Sequence, residues 1–219
     1  MKTSRIVFFG VFTTFAAATV GLLAIPQFQF GNLGPVVNKD TGDVYPVNVG
    51  GYTAQGRDVY AANGCVYCHT QVVRNAQDGS DIERGWGVRQ SVARDYIYDK
   101  TVVLGFARFG PDLANEGAKS DNPADAVKKT VAWQYKHLYA PQSIEPHSNM
   151  PAYRNLFEVK KIEGQPSPDA LDLTGADAPP AGYEVVPTLE ARQLAAYLLS
   201  LDHSHTLPEA PVTKETAKK

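Results

Sequence analysis

The sequence predicts an all-α domain that is carried on one N-terminal apolar helix and interrupted by long irregular insertions. Three stretches combine helical periodicity with capping residues: Thr53–Ala62, Asn122–Tyr139 and Thr188–Leu201. Two further stretches, at about residues 74–104 and 157–187, have no periodicity and are rich in glycine, proline or charge. The 219 residues suffice for one ordinary domain with appendages, and the net charge of −2 gives no electrostatic argument for nucleic-acid binding.

The first element, at about residues 1–26, is a candidate membrane anchor. The run Ile6–Ile25 contains no charged residue, and a helix of that length spans the roughly 30 Å hydrocarbon core of a bilayer. Lys2 and Arg5 precede it and no basic cluster follows, which predicts a cytoplasmic N-terminus and an exocytoplasmic remainder. A cleaved signal peptide with Ala16–Ala18 at the cleavage site is the alternative, but the apolar run continues past those alanines and favours a retained anchor.

Residues 27–51 read as a polar connector, with a short strand or turn near Asp40–Tyr45. The domain proper is expected over residues 52–202, and residues 203–219 form a polar tail that we expect to be mobile.

The first and last helices of the domain are predicted to pack on each other. Thr53 is a plausible N-cap of the first helix, Asn63-Gly64 a C-cap, and Gly56 and Tyr60 share one face. Thr188 can cap the last helix, whose apolar stripe consists of Leu194, Tyr197, Leu198 and Leu201. A glycine at the crossing point lets the two backbones approach closely.

The middle helix is predicted to begin at Asn122, with Pro123 in its first turn, and to stop before Pro141. Its apolar stripe consists of Val127, Val131, Tyr135 and Leu138.

The chemistry of the chain is concentrated at Cys65-Val66-Tyr67-Cys68-His69, which contains its only two cysteines. A Cys-x-x-Cys-His run is typical of covalent haem attachment, with both thiols on the porphyrin and the histidine on the iron. A redox dithiol, a structural disulfide or half of a zinc site remain alternatives. The zinc reading would need His137 or His147, because no second cysteine pair exists.

The residue at the sixth iron position decides between electron transfer and ligand binding. Met150 is the only methionine on the same side of the anchor as the cysteines, and Pro151 favours extended backbone at that position. We therefore expect a His69–Met150 axial pair, with His147 and His137 as rivals to the methionine.

Several side chains are candidates for supporting the haem. The carbonyl of Pro111, in Gly110-Pro111-Asp112-Leu113, is placed to accept a hydrogen bond from the second ring nitrogen of His69. Arg74 and Arg108 are the preferred partners for the haem propionates. Three other arginines are also near in sequence: Arg84, Arg89 and Arg94.

This order of motifs resembles class I cytochrome c, and more narrowly the mono-haem subunit II of C-family, or cbb-type, cytochrome c oxidases. Beyond the haem motif, the strings that carry the narrower resemblance are Thr70–Arg74, Gly110–Ala114, His137-Leu138-Tyr139-x-Pro141 and Pro146-x-Ser148-Asn149-Met150-Pro151-x-Tyr153. The single anchor and the long insertion after the haem motif agree with it. The resemblance covers about residues 1–156 and the last helix.

The resemblance implies an all-helical fold around one covalently bound haem c. It implies attachment at Cys65 and Cys68, with His69 and Met150 as axial ligands. The expected role is electron relay to a haem–copper catalytic subunit, in which oxygen is reduced, so that this chain is part of an enzyme without being catalytic itself. The expected donor is a di-haem sister subunit or a soluble cytochrome, and the expected location is the inner membrane of a bacterium.

Two other functions stay open at this point. The chain is also similar to the mono-haem anchored subunit of nitric oxide reductase, although the Arg74 and Met150 strings favour the oxidase. A haem-based gas sensor is the candidate from another class, and it requires a sixth position that Met150 does not fill.

Overall fold

The computed structural model describes residues 2–38, 42–118 and 130–212. The chain divides into two compact units. The first comprises Met1–Val47 and Ala93–Ile97, and the second comprises Asn48–Val92 and Tyr98–Lys219.

The first unit begins with an apolar helix that is long enough to cross a membrane. It consists of α1 (Lys2–Thr19), a π-helical turn (Val20–Ala24) and α2 (Ile25–Phe30). Within Thr3–Phe30, the most apolar stretch of 18 residues has a mean hydropathy of 2.1, and none of it is buried. The helix runs past Pro26, where we predicted its end. Proline crowds the carbonyl four residues earlier, and the wider π-helical turn before it relieves that clash.

The predicted connector contains structure of its own. Strands β1 (Val36–Val37) and β2 (Val44–Tyr45) form an antiparallel hairpin, while residues 39–41, where the predicted turn falls in part, lie outside the described residues. The buried hydroxyl of Tyr45 donates to Oδ1 of Asp95 at 2.8 Å, and the guanidinium of Arg94 donates to the carbonyl of Gly34. Part of the insertion at residues 74–104 therefore packs with the connector in this first unit.

The second unit is built on the crossing of α3 (Gly51–Ala62) and α6 (Leu189–Leu198). A Cβ atom added at Gly56 would lie 2.0 Å from the carbonyl oxygen of Gln193, so only glycine allows this approach. Tyr60 and Leu194, each 1% exposed, form the centre of the resulting core. Thr188 caps α6 through Ala191 N–H, as predicted, whereas α3 begins after Gly50, two residues before the predicted cap at Thr53.

Helix α4 begins at Val131 and ends at Tyr139, so the prediction of one continuous helix from Asn122 is wrong: the extended backbone of Thr130, with φ −96° and ψ 148°, interrupts it. Its cap is Thr130, whose hydroxyl accepts a hydrogen bond from Trp133 N–H at 3.2 Å. The predicted start at Asn122 and the stripe residue Val127 lie outside the described residues. Val131 is 46% exposed, so the buried face is rotated from the predicted stripe and includes Tyr139. A short helix, α5 (Pro141–Ile144), follows directly.

The insertion at residues 157–187 is not irregular, and the all-α prediction is not confirmed. Strands β3 (Phe157–Lys161) and β4 (Tyr183–Pro187) pair in antiparallel register, with Val159 opposite Val185. The loop between the strands is fastened by Ser167, which donates from backbone and side chain to Glu184, and by Asp169, which pairs with Arg192 at 2.6 Å. The prolines that suggested an irregular insertion lie in this loop and, in the case of Pro187, at the end of β4, where a missing N–H is tolerated.

The segment from the end of α6 to residue 212 packs within the second unit, whereas we expected a mobile tail from residue 203. His203, Leu207 and Ala210 are buried. Nε of Arg89 donates to the carbonyl of His205 at 2.5 Å, and His203 N–H donates to Asn115 at 3.0 Å. Residues 213–219 lie outside the described residues.

Gly56→Ala is expected to destabilise the second unit by about 3 kcal/mol or more, because the new methyl group overlaps the backbone of α6. Gly50→Ala is the matched control, since no atom lies within 4 Å of its added Cβ. Denaturant unfolding of the full chain in detergent, followed by circular dichroism, measures both. Equal midpoints for the two variants would contradict the close crossing.

The contribution of Glu184 to stability is expected to depend on pH. Hydrogen bonds from Ser167, assisted by Lys160, lower the pKa of Glu184. A carboxyl with a lowered pKa in the folded state stabilises the protein above its ordinary value of about 4.3, and that stabilisation fades as the pH falls through the folded value.

The difference in unfolding free energy between the wild type and Glu184→Gln should therefore be present at pH 7 and shrink below about pH 4. Glu158→Gln, an exposed change in the same hairpin, is the control and should show no such trend. A difference that stayed constant from pH 7 to pH 3 would argue against the ionic form of the contact.

Candidate functional site

The two cysteines lie on a tight turn at the end of α3. Gly64 has φ +74° and ends the helix as the predicted left-handed cap. Cys65–Tyr67 then form a 3₁₀ turn, which His69 N–H closes on the carbonyl of Cys65 at 3.0 Å. Side chains three positions apart eclipse one another in such a turn, so both thiols emerge on one side. Both thiols are free; Cys65 is buried and Cys68 is partly buried.

The loop that carries Met150 reaches the cysteine turn through Tyr153. Burial raises the pKa of the Cys65 thiol to about 11, and a hydrogen bond with the side chain of Tyr153 partly offsets that rise. Met150 itself is partly buried and packs against the hydrophobic core that includes Cys65. The fold therefore brings together the two parts of the chain from which the axial ligands were predicted.

His69 is oriented by the Gly-Pro turn. Its Nδ1 lies 2.8 Å from the carbonyl oxygen of Pro111. A carbonyl can only accept, so Nδ1 carries the proton and the lone pair is on Nε2. Burial lowers the pKa of His69, which favours the neutral imidazole that a metal requires. A Cβ at Gly110 would lie 2.3 Å from Cε1 of the ring, so the absence of a side chain there makes room for the imidazole.

Backbone hydrogen bonds join residues 66–71, which include the cysteine turn, to residues 104–113, which include the Gly-Pro turn. They are Phe106 N–H to Val66 O, Gly110 N–H to Cys68 O, Leu113 N–H to Thr70 O and Gln71 N–H to Leu104 O, all between 2.8 and 2.9 Å. Gly105 has φ +86°, and a Cβ there would lie 2.1 Å from the carbonyl oxygen of His69. The two segments therefore form one closely packed layer with His69 between them.

Arg74 and Arg108, the predicted propionate partners, both bind Asp81. Oδ1 of Asp81 lies 2.8 Å from a terminal nitrogen of Arg74 and 2.6 Å from one of Arg108. Burial alone would raise the pKa of Asp81, but hydrogen bonds from these arginines outweigh it and hold that pKa well below its usual range. Arg108 uses all three of its nitrogens on protein acceptors, whereas Arg74 is 46% exposed and uses two. Arg74 is thus the better placed of the two to reach a further anion.

Three other arginines were predicted as possible propionate partners. Arg84 lies 5.0 Å from the ring of Trp86, Arg89 is buried against the C-terminal segment, and Arg94 belongs to the first unit. Of the rival axial ligands, His147 is exposed and His137 stacks on Trp133 at 4.5 Å between ring centroids. Across residues 2–38, 42–118 and 130–212, no group of three or more His, Cys, Asp or Glu side chains is arranged to hold a metal ion.

Sequence reasoning missed three residues at this site: Asp81, Gln142 and Tyr153. Nε2 of Gln142 donates to the carbonyl of Ser148 at 3.0 Å and to that of Met150 at 2.8 Å. A glutamine one residue after Pro141, at the start of a short helix, gives no sequence signal of such a role. Tyr153 had been quoted only as part of a family string, and Asp81 lay in a segment without periodicity.

The donor set fits a c-type haem. Two reduced thiols emerge on one side of a tight turn, a neutral imidazole presents Nε2, and a partly buried thioether lies on a loop that contacts the same turn. Tyr67 and Phe106 stack at 5.5 Å beside the cysteines and remain mostly exposed, so apolar surface is available next to them. A zinc site would need further ligands that the described residues do not assemble.

Gln142→Leu is expected to loosen the Met150 loop, because it removes two hydrogen bonds worth about 1 kcal/mol each. Amide hydrogen exchange over residues 147–150 should become about tenfold faster or more. Gln165→Leu, an exposed glutamine in the β3–β4 loop, is the control and should leave that segment unchanged. Unaltered exchange in Gln142→Leu would mean that the loop is held by other contacts.

Comparison with known proteins agrees with these motifs. No curated protein matches the chain in sequence. A family model described as "Cytochrome C oxidase, mono-heme subunit/FixO" matches residues 3–174, which is most of the chain. The matched region includes the apolar helix, the cysteine turn, the Gly-Pro turn and the Met150 loop. The family resemblance drawn from the sequence is thereby confirmed, and the chain belongs to the mono-haem FixO family of cytochrome c oxidase subunits, the subunit II family of cbb3-type oxidases.

Proposed function

We propose that this chain is a membrane-anchored c-type cytochrome that relays electrons to the haem–copper catalytic subunit of a cbb3-type oxidase. The observation that carries the proposal is the His69–Pro111 hydrogen bond beside two free thiols, in a chain of the oxidase mono-haem family. A bound haem would supply a one-electron ferric–ferrous couple.

Cys65 and Cys68 are the residues that would hold the haem covalently. Formation of a carbon–sulfur bond between each thiol and one vinyl group would consume no oxidant, because the thiol hydrogen would pass to the other vinyl carbon. The two thiols must be kept reduced until this addition, since the proposed compartment is oxidising. Once both are thioethers, no disulfide between them is possible.

His69 and Met150 are the proposed axial ligands. The Pro111 carbonyl keeps the proton on Nδ1, so that Nε2 offers its lone pair in a fixed direction. A thioether together with an imidazole on the iron would raise the reduction potential and leave no position for an external ligand, which suits electron transfer and not ligand binding. The buried residues around Cys65 exclude water from this side of the site. Arg74 is the proposed propionate partner, with Arg108 held behind it by Asp81.

The helix Thr3–Phe30 is proposed to cross a bacterial inner membrane once. By the positive-inside rule, the basic residues Lys2 and Arg5 favour a cytoplasmic N-terminus, which would put the cysteine turn in the exocytoplasmic space. The proposed donor is a di-haem sister subunit or a soluble cytochrome. Oxygen reduction takes place in the catalytic partner, so this chain belongs to an enzyme and transfers electrons only.

The axial-ligand assignment is tested by making the full chain in a host that matures c-type cytochromes. The wild type should retain haem on a denaturing gel and show low-spin iron with a far-red methionine–iron band. Met150→Ala should lose that band and lower the potential, while His147→Ala, an exposed change three residues away, should alter neither. A colourless wild type would contradict the haem assignment, and high-spin iron in the wild type would favour the sensor alternative.

Copurification of the intact membrane complex identifies the electron acceptor. The expected partner is a haem–copper oxidase catalytic subunit. Recovery of a nitric oxide reductase catalytic subunit in its place would overturn the oxidase assignment without affecting the haem assignment.

A further inference from the structure

The side chain of Asp81 is completely buried, although it lies in the loop-rich insertion at residues 74–104. A buried carboxylate is strongly unfavourable unless charged partners and hydrogen bonds compensate for the lost water. Asp81 has both kinds of partner. Its Oδ2 accepts from the backbone N–H of Arg74 at 2.8 Å, and its Oδ1 accepts from the guanidinium groups of Arg74 and Arg108 at 2.8 and 2.6 Å.

Arg108 continues the chain of contacts towards the haem-binding segment. Its Nε donates to the hydroxyl of Thr70 at 2.9 Å, and a terminal nitrogen donates to the carbonyl of Val72 at 2.7 Å. All three nitrogens of Arg108 are therefore used: two bind the segment that follows His69, and one binds Asp81 in the insertion. Asp81 holds the guanidinium of Arg108 in place, because it accepts a hydrogen bond from the second terminal nitrogen.

The next link joins the two segments on either side of His69. The Thr70 hydroxyl donates to Oδ2 of Asp112 at 2.5 Å, and Val72 N–H donates to the same oxygen at 2.8 Å. Thr70 follows His69 directly, and Asp112 follows Pro111 directly. The contact between Asp112 and Thr70 therefore joins the segment that carries His69 to the segment that carries Pro111.

We propose that Asp81 is a positioning residue for His69, acting through Arg108, Thr70 and Asp112. By anchoring Arg108, it holds the 70–72 segment against the 111–113 segment and so keeps the Pro111 carbonyl at hydrogen-bond distance from Nδ1. A carbonyl acceptor on Nδ1 makes the imidazole a stronger electron donor to a metal on Nε2. The insertion after the haem motif would therefore tune the axial ligand. This inference rests on the proposed haem function.

Asp81→Asn in the full-length, haem-loaded chain is the first test. The His69 Nδ1 proton, observed by NMR, should exchange with deuterium about tenfold faster, because the hydrogen bond to Pro111 is weakened. The midpoint potential should shift upward, because a weaker imidazole donor stabilises the ferrous state. Glu83→Gln is the control, since it removes an exposed negative charge two residues away and should change neither measurement.

A double-mutant cycle separates positioning from the simple loss of a charge. Thr70→Val removes the hydroxyl that joins Arg108 to Asp112 and leaves between their side chains only the ion pair at 3.7 Å. Asp81 stays ionised in this variant, which should reproduce both changes. Adding Asp81→Asn to Thr70→Val should then add little if the effect travels through the hydroxyl. A full extra shift in potential in the double variant, with unchanged Nδ1–H exchange, would mean that Asp81 acts only as a charge and would overturn the proposal.

The outcomes also distinguish this inference from the proposed function. A wild type without covalent haem refutes the function itself. A wild type with haem and the methionine–iron band, combined with normal Nδ1–H exchange in Asp81→Asn, refutes only the positioning role. Where Asp81→Asn does not fold, Asp81→Glu takes its place, because it keeps the charge but displaces the carboxylate: faster exchange of the Nδ1 proton supports the proposal, and wild-type exchange overturns it.

Discussion

The hydrogen bond between Nδ1 of His69 and the carbonyl of Pro111 is the interaction on which the rest of the site depends. It selects the tautomer, fixes the plane of the ring and leaves the lone pair on Nε2, where a metal can bind. The 2.8 Å separation requires the Gly-Pro turn to touch the ring, which is possible only because Gly110 and Gly105 carry no side chain. Each backbone hydrogen bond between the two segments then serves to keep that one distance.

The helix crossing provides the fixed base for this layer. Since α3 meets α6 at Gly56 with backbone atoms in contact, the end of α3 has little freedom to shift, and Cys65 follows directly after its cap. Tyr197 of α6 donates to Gln71 at 2.8 Å, which connects the last helix to the segment two residues after His69. The same crossing therefore positions both the thiols and the imidazole. This explains why the first and last helices of the domain matter to a site that they do not themselves form.

The sequence predicted those parts whose signals are local. The cysteine turn, the cap at Gly64, the cap at Thr188 and the contact of Pro111 with His69 all follow from residues next to one another or from a short motif. The β3–β4 hairpin was missed because it closes over a long loop, and only the tertiary contacts of Glu184 and Asp169 make that loop compact. Asp81 was missed for a related reason, because one of its two arginines lies far along the chain and a buried carboxylate looks in sequence like any surface aspartate.

Asp81, Arg74 and Arg108 form an ionic cluster whose hydrogen bonds have defined directions, whereas the contacts of an apolar cluster have none. Removing one partner of a buried ion pair costs about 3–5 kcal/mol, whereas replacing the whole pair by apolar side chains is often neutral. Stability alone therefore gives no reason to prefer Asp81 and Arg108 over well-packed leucines. Hydrogen bonds, however, fix distances and angles, and Arg108 makes two of them to the segment that follows His69 and one to Asp81. His69, the proposed axial ligand, needs its carbonyl partner at a defined distance, and a directional network supplies that constraint where non-directional packing does not.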